Sequence, residues 1–162
     1  MRRFGPLLTS LLLVMAACGV PAAGPSPLRS QLSAAEAEAL LVRADDARAG
    51  ALAGSGPAQE LSDSFAAGAL KVTRARVKIL RERGQRHQSQ PVRRQLVHFS
   101  VSGGGAEAVL EVRARERSLQ SGEPEGAWAN TLRQWWARLE PGSGGWRIVE
   151  DHDLPPERWW RT

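Results

Sequence analysis

The apolar rhythm of this chain changes once, near Pro91, and that change fixes the class of fold. Before Pro91 apolar residues recur at three- and four-residue spacings, the period of a helix with one buried face. After it they alternate, the period of a strand. The elements read as three helices followed by a four-stranded antiparallel meander, an α+β arrangement.

Ser33-Ala34-Ala35-Glu36 has the S-x-x-E form of a capping box and opens the first helix, expected to run to about Ala49 with Leu40, Ala44, Ala47 and Ala51 on its buried stripe. Gly54-Ser55-Gly56-Pro57 breaks it, with Pro57 placed for the first turn of a short helix carrying Leu61 and Phe65. A third helix, about Ala69 to Arg83, puts Leu70, Thr73, Val77 and Leu80 on one face and ends at Gly84. In the first strand Val97, Phe99 and Val101 are expected on one face and Leu96 and His98 on the other. After the Gly103-Gly104-Gly105 turn, Ala108, Leu110, Val112 and Ala114 point inward, and Glu111, Arg113, Arg115 and Arg117 outward. Trp128 to Leu139 fits a helical spacing as well as an extended one. Strand is the reading adopted, because the Pro141 to Gly145 loop and Trp146-Arg147-Ile148-Val149 then supply a hairpin partner.

The N-terminus carries an address. Arg2 and Arg3 precede an apolar stretch, Leu7 to Ala17, that is too short for a hydrocarbon core of about 30 Å. It ends in Leu13-Val14-Met15-Ala16-Ala17-Cys18, where Cys18 is the only cysteine. These residues resemble the lipobox of bacterial lipoproteins, with Met15 where Leu is more usual. The resemblance implies a signal peptide over 1–17, a lipid on the Cys18 thiol, and an exported protein held at the cell membrane or outer membrane, facing away from the cytoplasm. The alternative is an ordinary secretory signal cut near Val20-Pro21-Ala22. Residues 18–31, rich in Pro, Gly, Ala and Ser, then form a flexible tether whose 13 residues after Cys18 reach about 20 Å, and 32–162 form a single domain.

The three helices, the meander and the segment Gly144-Gly145-Trp146-Arg147-Ile148-Val149, with Ala69-Leu70-Lys71-Val72 opening the third helix, resemble the nuclear transport factor 2-like (SnoaL-like) superfamily. Within it the chain is similar to the intermembrane-space domain of plastid division proteins and its bacterial counterparts. The resemblance implies a curved sheet wrapped around a helix with a pocket at the open end of a cone. It implies no single activity.

Enzymes of that superfamily use a carboxylate base with hydrogen-bond donors, tyrosine among them, and this chain has no tyrosine. Its histidines are isolated at 87, 98 and 152, and no metal or cofactor motif is present. Glu150-Asp151-His152-Asp153 reads as a solvated strand end, not a cation site, because alternate residues of a strand point apart. The expected function is therefore a membrane-tethered, non-enzymatic binding or interaction module of the cell envelope, with no cofactor and an unidentified protein partner or apolar ligand. The alternative is an isomerase- or hydrolase-like enzyme using His98 in the cone pocket.

The candidate pocket or interaction surface comprises His98, Phe99, Leu110, Trp128, Trp136, Trp146, Trp159 and Trp160. A homodimer through the sheet is a further arrangement. All six tryptophans lie in the last 35 residues, and the adjacent Trp135 and Trp136 must face opposite sides of a strand. Trp159-Trp160, beyond Pro155-Pro156, either fold back as a latch, the preferred reading, or form an apolar patch. Between Lys71 and Arg94 stand nine basic residues and one acidic. An exported, tethered protein meets phospholipid before nucleic acid, so the stripe reads as an ordinary solvated face or as a membrane contact.

Overall fold

A computed structural model describes residues 31–160 except Pro57. The leader 1–17, Cys18, nearly all of the tether and the placement of Pro57 lie outside the described residues. Helices α1 (Ala34–Ala53), α2 (Ala58–Ser64) and α3 (Ala67–Glu82) precede strands β1 (Gln85–Ser102), β2 (Gly105–Gln120), the two-residue β3 (Glu123–Pro124), β4 (Ala129–Gly142) and β5 (Gly145–Leu154). The sheet is antiparallel in the order β1-β2-β4-β5, with β3 beside β2. The fold is thus three helices packed on one side of a curved antiparallel sheet.

Ser33 and Glu36 form the capping box, the Ser33 hydroxyl accepting from Glu36 N and the Glu36 carboxylate accepting from Ser33 N. The helix runs four residues beyond Ala49 and stops at Gly54, whose left-handed φ of 76° suits glycine. Gly56 folds back on Gly50 so closely that a Cβ on Gly56 would stand 3.0 Å from backbone. Leu40, Leu41, Ala44, Ala47 and Ala51 enter the core, joined by Leu61, Phe65, Val77, Leu110, Trp135 and Ile148. Among the described residues Leu32 is the first of this core. Trp128 to Leu139 is extended as β4 from Ala129 onward.

Two expectations about β1 are corrected. The strand begins at Gln85, not after Pro91, and Pro91 sits inside it at an irregularity between Pro91 and Arg93. A proline is tolerated there because β1 is an edge strand and needs no donor on its open side. A second irregularity, between Leu96 and His98, inserts Val97 as an extra residue and resets the alternation. Leu96 pairs Leu110 and Phe99 pairs Ala108, so Leu96 and Phe99 share the helix-facing side. His98, opposite Val109, faces the other way. The Leu96 amide is taken by the Glu38 carboxylate of α1 at 3.2 Å.

Candidate functional site

The helix-facing side of β2 runs from apolar to polar. Ala106, Ala108, Leu110, Val112 and Ala114 are all buried, and two residues further Glu116 brings a carboxylate to the same face. Register places Arg94 of β1 and Arg133 of β4 on either side of Val112. From β5, Asp153 stands beside Trp135 and Asp151 beside Ala137. Above them α1 turns Asp45 and Arg48 downward, three residues apart on its buried stripe. Residues from α1, β1, β4 and β5 therefore converge on one charged centre.

Asp45, 3% exposed, is its hub. Its Oδ2 accepts from Arg94 at 2.9 Å, its Oδ1 accepts from Arg133, and Arg48 lies 3.6 Å away. Arg94 also donates to Asp46 at 2.5 Å. Arg48 contacts Asp151 at 3.4 Å and Asp153 at 3.9 Å, with its guanidinium 4.3 Å above the Trp135 ring. Trp135, fully buried, donates its indole N–H to Asp151 at 2.9 Å. Arg133 reaches Glu116 at 3.9 Å and Asp153 at 3.6 Å. Among the described residues its Nη1 is buried without a hydrogen bond, facing Asp153 only as an ion pair.

Burial sets the proton affinities. It lowers that of Arg48, with Arg133 adding to the effect while the three aspartates oppose it. Burial likewise raises Asp151, against the Trp135 hydrogen bond and Arg48. Glu116 goes the other way, to about 2 from an ordinary 4.5, chiefly through the hydrogen bond with His87, whose Nε2 lies 3.5 Å away, with Arg133 contributing. A carboxylate held below its unfolded value contributes stability that is present above about 4.5 and lost as the pH falls towards about 2. Glu116→Gln is expected to flatten the acid limb of the stability profile over that window, as measured by denaturant unfolding at stepped pH. Asp151 acts in the opposite sense, its protonation on acidification favouring the folded state.

Beside this centre a groove of about 450 Å3 opens between the C-terminal half of α1 and the first half of β1. Ala49, Gly50 and Ala53 leave it room, Asp46, Gln88 and Gln90 line it, and half-buried Trp128 closes one end. Arg117 lies 4.5 Å over the Trp128 ring and donates to Gln88 at 2.7 Å.

The eight residues expected to form one surface are divided by the structure. Leu110, Phe99 and Trp146 belong to the helix-facing core or pack against it, and Trp128 borders the groove. His98, Trp136 and Trp160 lie on the outer side of the sheet. The Trp160 ring stacks on His98 at 3.8 Å, and Trp136 lies 4.8 Å from His152. Gln134 holds the tail in place of a strand, accepting from Trp160 N at 2.7 Å and donating to Trp160 O at 2.9 Å. Trp159 donates to Leu154 O. The tail does fold back, onto His98 and Gln134 and not onto Trp136, and Trp160 remains 45% exposed. His98 therefore does not enter the cone, because the insertion at Val97 turned it outward.

Periodicity alone hid the charged centre. The merely solvated strand end expected at Glu150 to Asp153 is corrected for Asp151, whose side chain is buried against Arg48 and Trp135, while Asp153 stays about half exposed beside Arg133. Asp45 and Arg48 on the apolar stripe of α1 were the signal, as was Arg133 two residues before buried Trp135. Among the described residues no group of three or more His, Cys, Asp or Glu is arranged to hold a metal, and no helix is long and apolar enough to cross a membrane.

The fold, three helices on a curved antiparallel sheet, is consistent with the nuclear transport factor 2-like cone. In particular it is similar to the intermembrane-space region of the chloroplast protein ARC6, with a TM-score of 0.69 over 76% of this chain and 98% of that one at 16% identity. Aln2 from a Streptomyces species superposes with a TM-score of 0.51 at 13% identity, over 78% of this chain and 96% of its own. An NTF2-like family protein from Streptomyces avermitilis is more distant, with a TM-score of 0.44 at 16% identity over 76% and 98% of the two chains. No family model and no curated protein matches the sequence. The fold hosts binding proteins and enzymes alike, so the site must carry the functional argument.

Proposed function

We propose that this chain is a membrane-tethered, non-enzymatic binding module of a bacterial cell envelope. The observation that carries the reading is the engagement of the inner charges with one another: Asp45 and Asp151 each face arginine, and Arg48 is stacked on Trp135. A general base needs a carboxylate or imidazole free to take a substrate proton. Here the inner aspartates hold the sheet to α1, and His98, the base of the enzymatic alternative, is stacked outside under Trp160. The groove beside Trp128, lined by Asp46, Gln88, Gln90 and Arg117, suits recognition of a polar ligand or partner segment.

The tether reading rests on Cys18 and the leader before it. The similarity to an intermembrane-space region supports a place outside the cytoplasm. Expression of the full chain in a bacterial host with labelled fatty acid tests it. The native chain is expected in the detergent phase carrying label, and Cys18→Ala in the aqueous phase without it. Equal membrane retention and equal mass shift for Cys18→Ala would overturn the tether.

A further inference from the structure

Helix α3 has two apolar faces, and only one is used by the fold. Ala69, Thr73 and Val77 are buried at four-residue spacing, with Leu70 and Leu80 packed beside them. Val72, 65% exposed, and Ile79, 47% exposed, stand seven residues apart and therefore on one side of the helix, with exposed Ala75 between them. At 3.6 residues per turn, Lys71 and Lys78 border this seam on one flank and Arg76 and Arg83 on the other, all four exposed. Glu82 is the one carboxylate of α3 and pairs with Lys78 at 3.8 Å, with both partners more than half exposed. Such a pair in water contributes little and is readily exchanged.

A narrow apolar seam between two rows of cations is the pattern of a helix lying in a bilayer interface. Its apolar side chains enter the headgroup boundary while lysine and arginine stems lie along the surface with their charges on phosphates. We infer that α3 is a docking surface for an anionic phospholipid bilayer, seating the domain with Val72 and Ile79 towards the lipid. Charge complementarity selects this occupant: four cations flank an apolar strip too thin to be covered by another helix without burying them. The inference stands apart from Cys18, since it concerns contacts made by the folded domain.

The test uses the chain from Gln31 onward, so that neither the leader nor Cys18 contributes, with circular dichroism to verify that it and each variant fold. The domain is expected to sediment with phosphatidylcholine vesicles containing phosphatidylglycerol and to stay in solution with phosphatidylcholine alone. Val72→Ser with Ile79→Ser should weaken binding at unchanged charge. Lys71→Glu with Lys78→Glu should weaken it about tenfold or more. Val101→Ser, an exposed change on β1, should leave it intact. Equal binding to both vesicle types, no binding to either, or indifference to both double variants would overturn the inference. So would displacement by inorganic phosphate at matched ionic strength, which would reveal a soluble-anion site instead.

Discussion

Asp45→Ala is expected to cost about 3–5 kcal/mol of folding free energy, the scale for removing one partner from a buried charge network. Asp45 accepts from Arg94 and Arg133 and lies against Arg48, so its removal leaves three guanidiniums around a space that water reaches poorly. Each retains a second carboxylate: Asp46 for Arg94, Asp151 for Arg48, Glu116 and Asp153 for Arg133. Those contacts moderate the loss but cannot replace a hub that touches all three. Asp45→Asn, whose amide oxygen still accepts one bond, should be the milder change. Urea unfolding of both variants measures the difference, and a loss under about 1 kcal/mol in Asp45→Ala would mean that the arginines are solvated in the native state.

Trp135→Ala should be comparably severe, at about 3–5 kcal/mol, because it empties the largest fully buried side chain of the core. Trp135 fills the space beneath Arg48 and against Phe65, its ring centroid 6.2 Å from that of Phe65. Trp135→Phe separates volume from chemistry. It keeps a ring for Arg48 but removes the indole donor from Asp151, whose proton affinity is already raised by burial. A loss of about 1–3 kcal/mol is expected for leaving that acceptor with only the longer contact from Arg48, larger above the Asp151 titration than below it, since a neutral carboxyl needs the donor less. Equilibrium unfolding at two pH values on either side of that titration checks the sign.

These two residues also show where the proposed module draws its rigidity. Asp45 and Trp135 join α1 to β4 and β5 through charge and aromatic contact, and the groove beside Trp128 is bounded by the same helix. A partner seated in that groove would meet a wall fixed by arginine pairs. On the outer side, Gln134 and Trp160 seal the sheet with two hydrogen bonds and a stack on His98. The domain thus has a pinned interior, an outer face covered in part by the tail, and one helix with an unused apolar seam.

Much of this was readable in order along the chain. The S-x-x-E box fixed the start of α1, three- and four-residue spacing gave the buried stripes of α1 and α3, and alternation gave the inward row Ala108, Leu110, Val112 and Ala114. Opposite faces for Trp135 and Trp136 followed from the pleat alone, and Trp135 is fully buried while Trp136 is not. The basic run from Lys71 to Arg94 was plain as composition, but its parts have different fates. Arg94 is inside on Asp45, and Lys71 and Lys78 are outside on α3.

Local periodicity determines which residues form an element and which side of it is apolar, because it acts between neighbours a few positions apart. It does not determine where an edge strand takes up an extra residue, and one extra residue exchanges its faces. Val97 is that residue here, and it puts His98 not in the cone pocket of the enzymatic alternative but on the outer side beneath Trp160. Nor does periodicity bring Asp45 to Arg133, 88 positions away, or Arg48 to Asp151, 103 positions away. The sequence by itself determined the helices, the strands and the apolar stripes. Only tertiary register decided which charges meet, because those pairings depend on the alignment of four separate elements over one sheet.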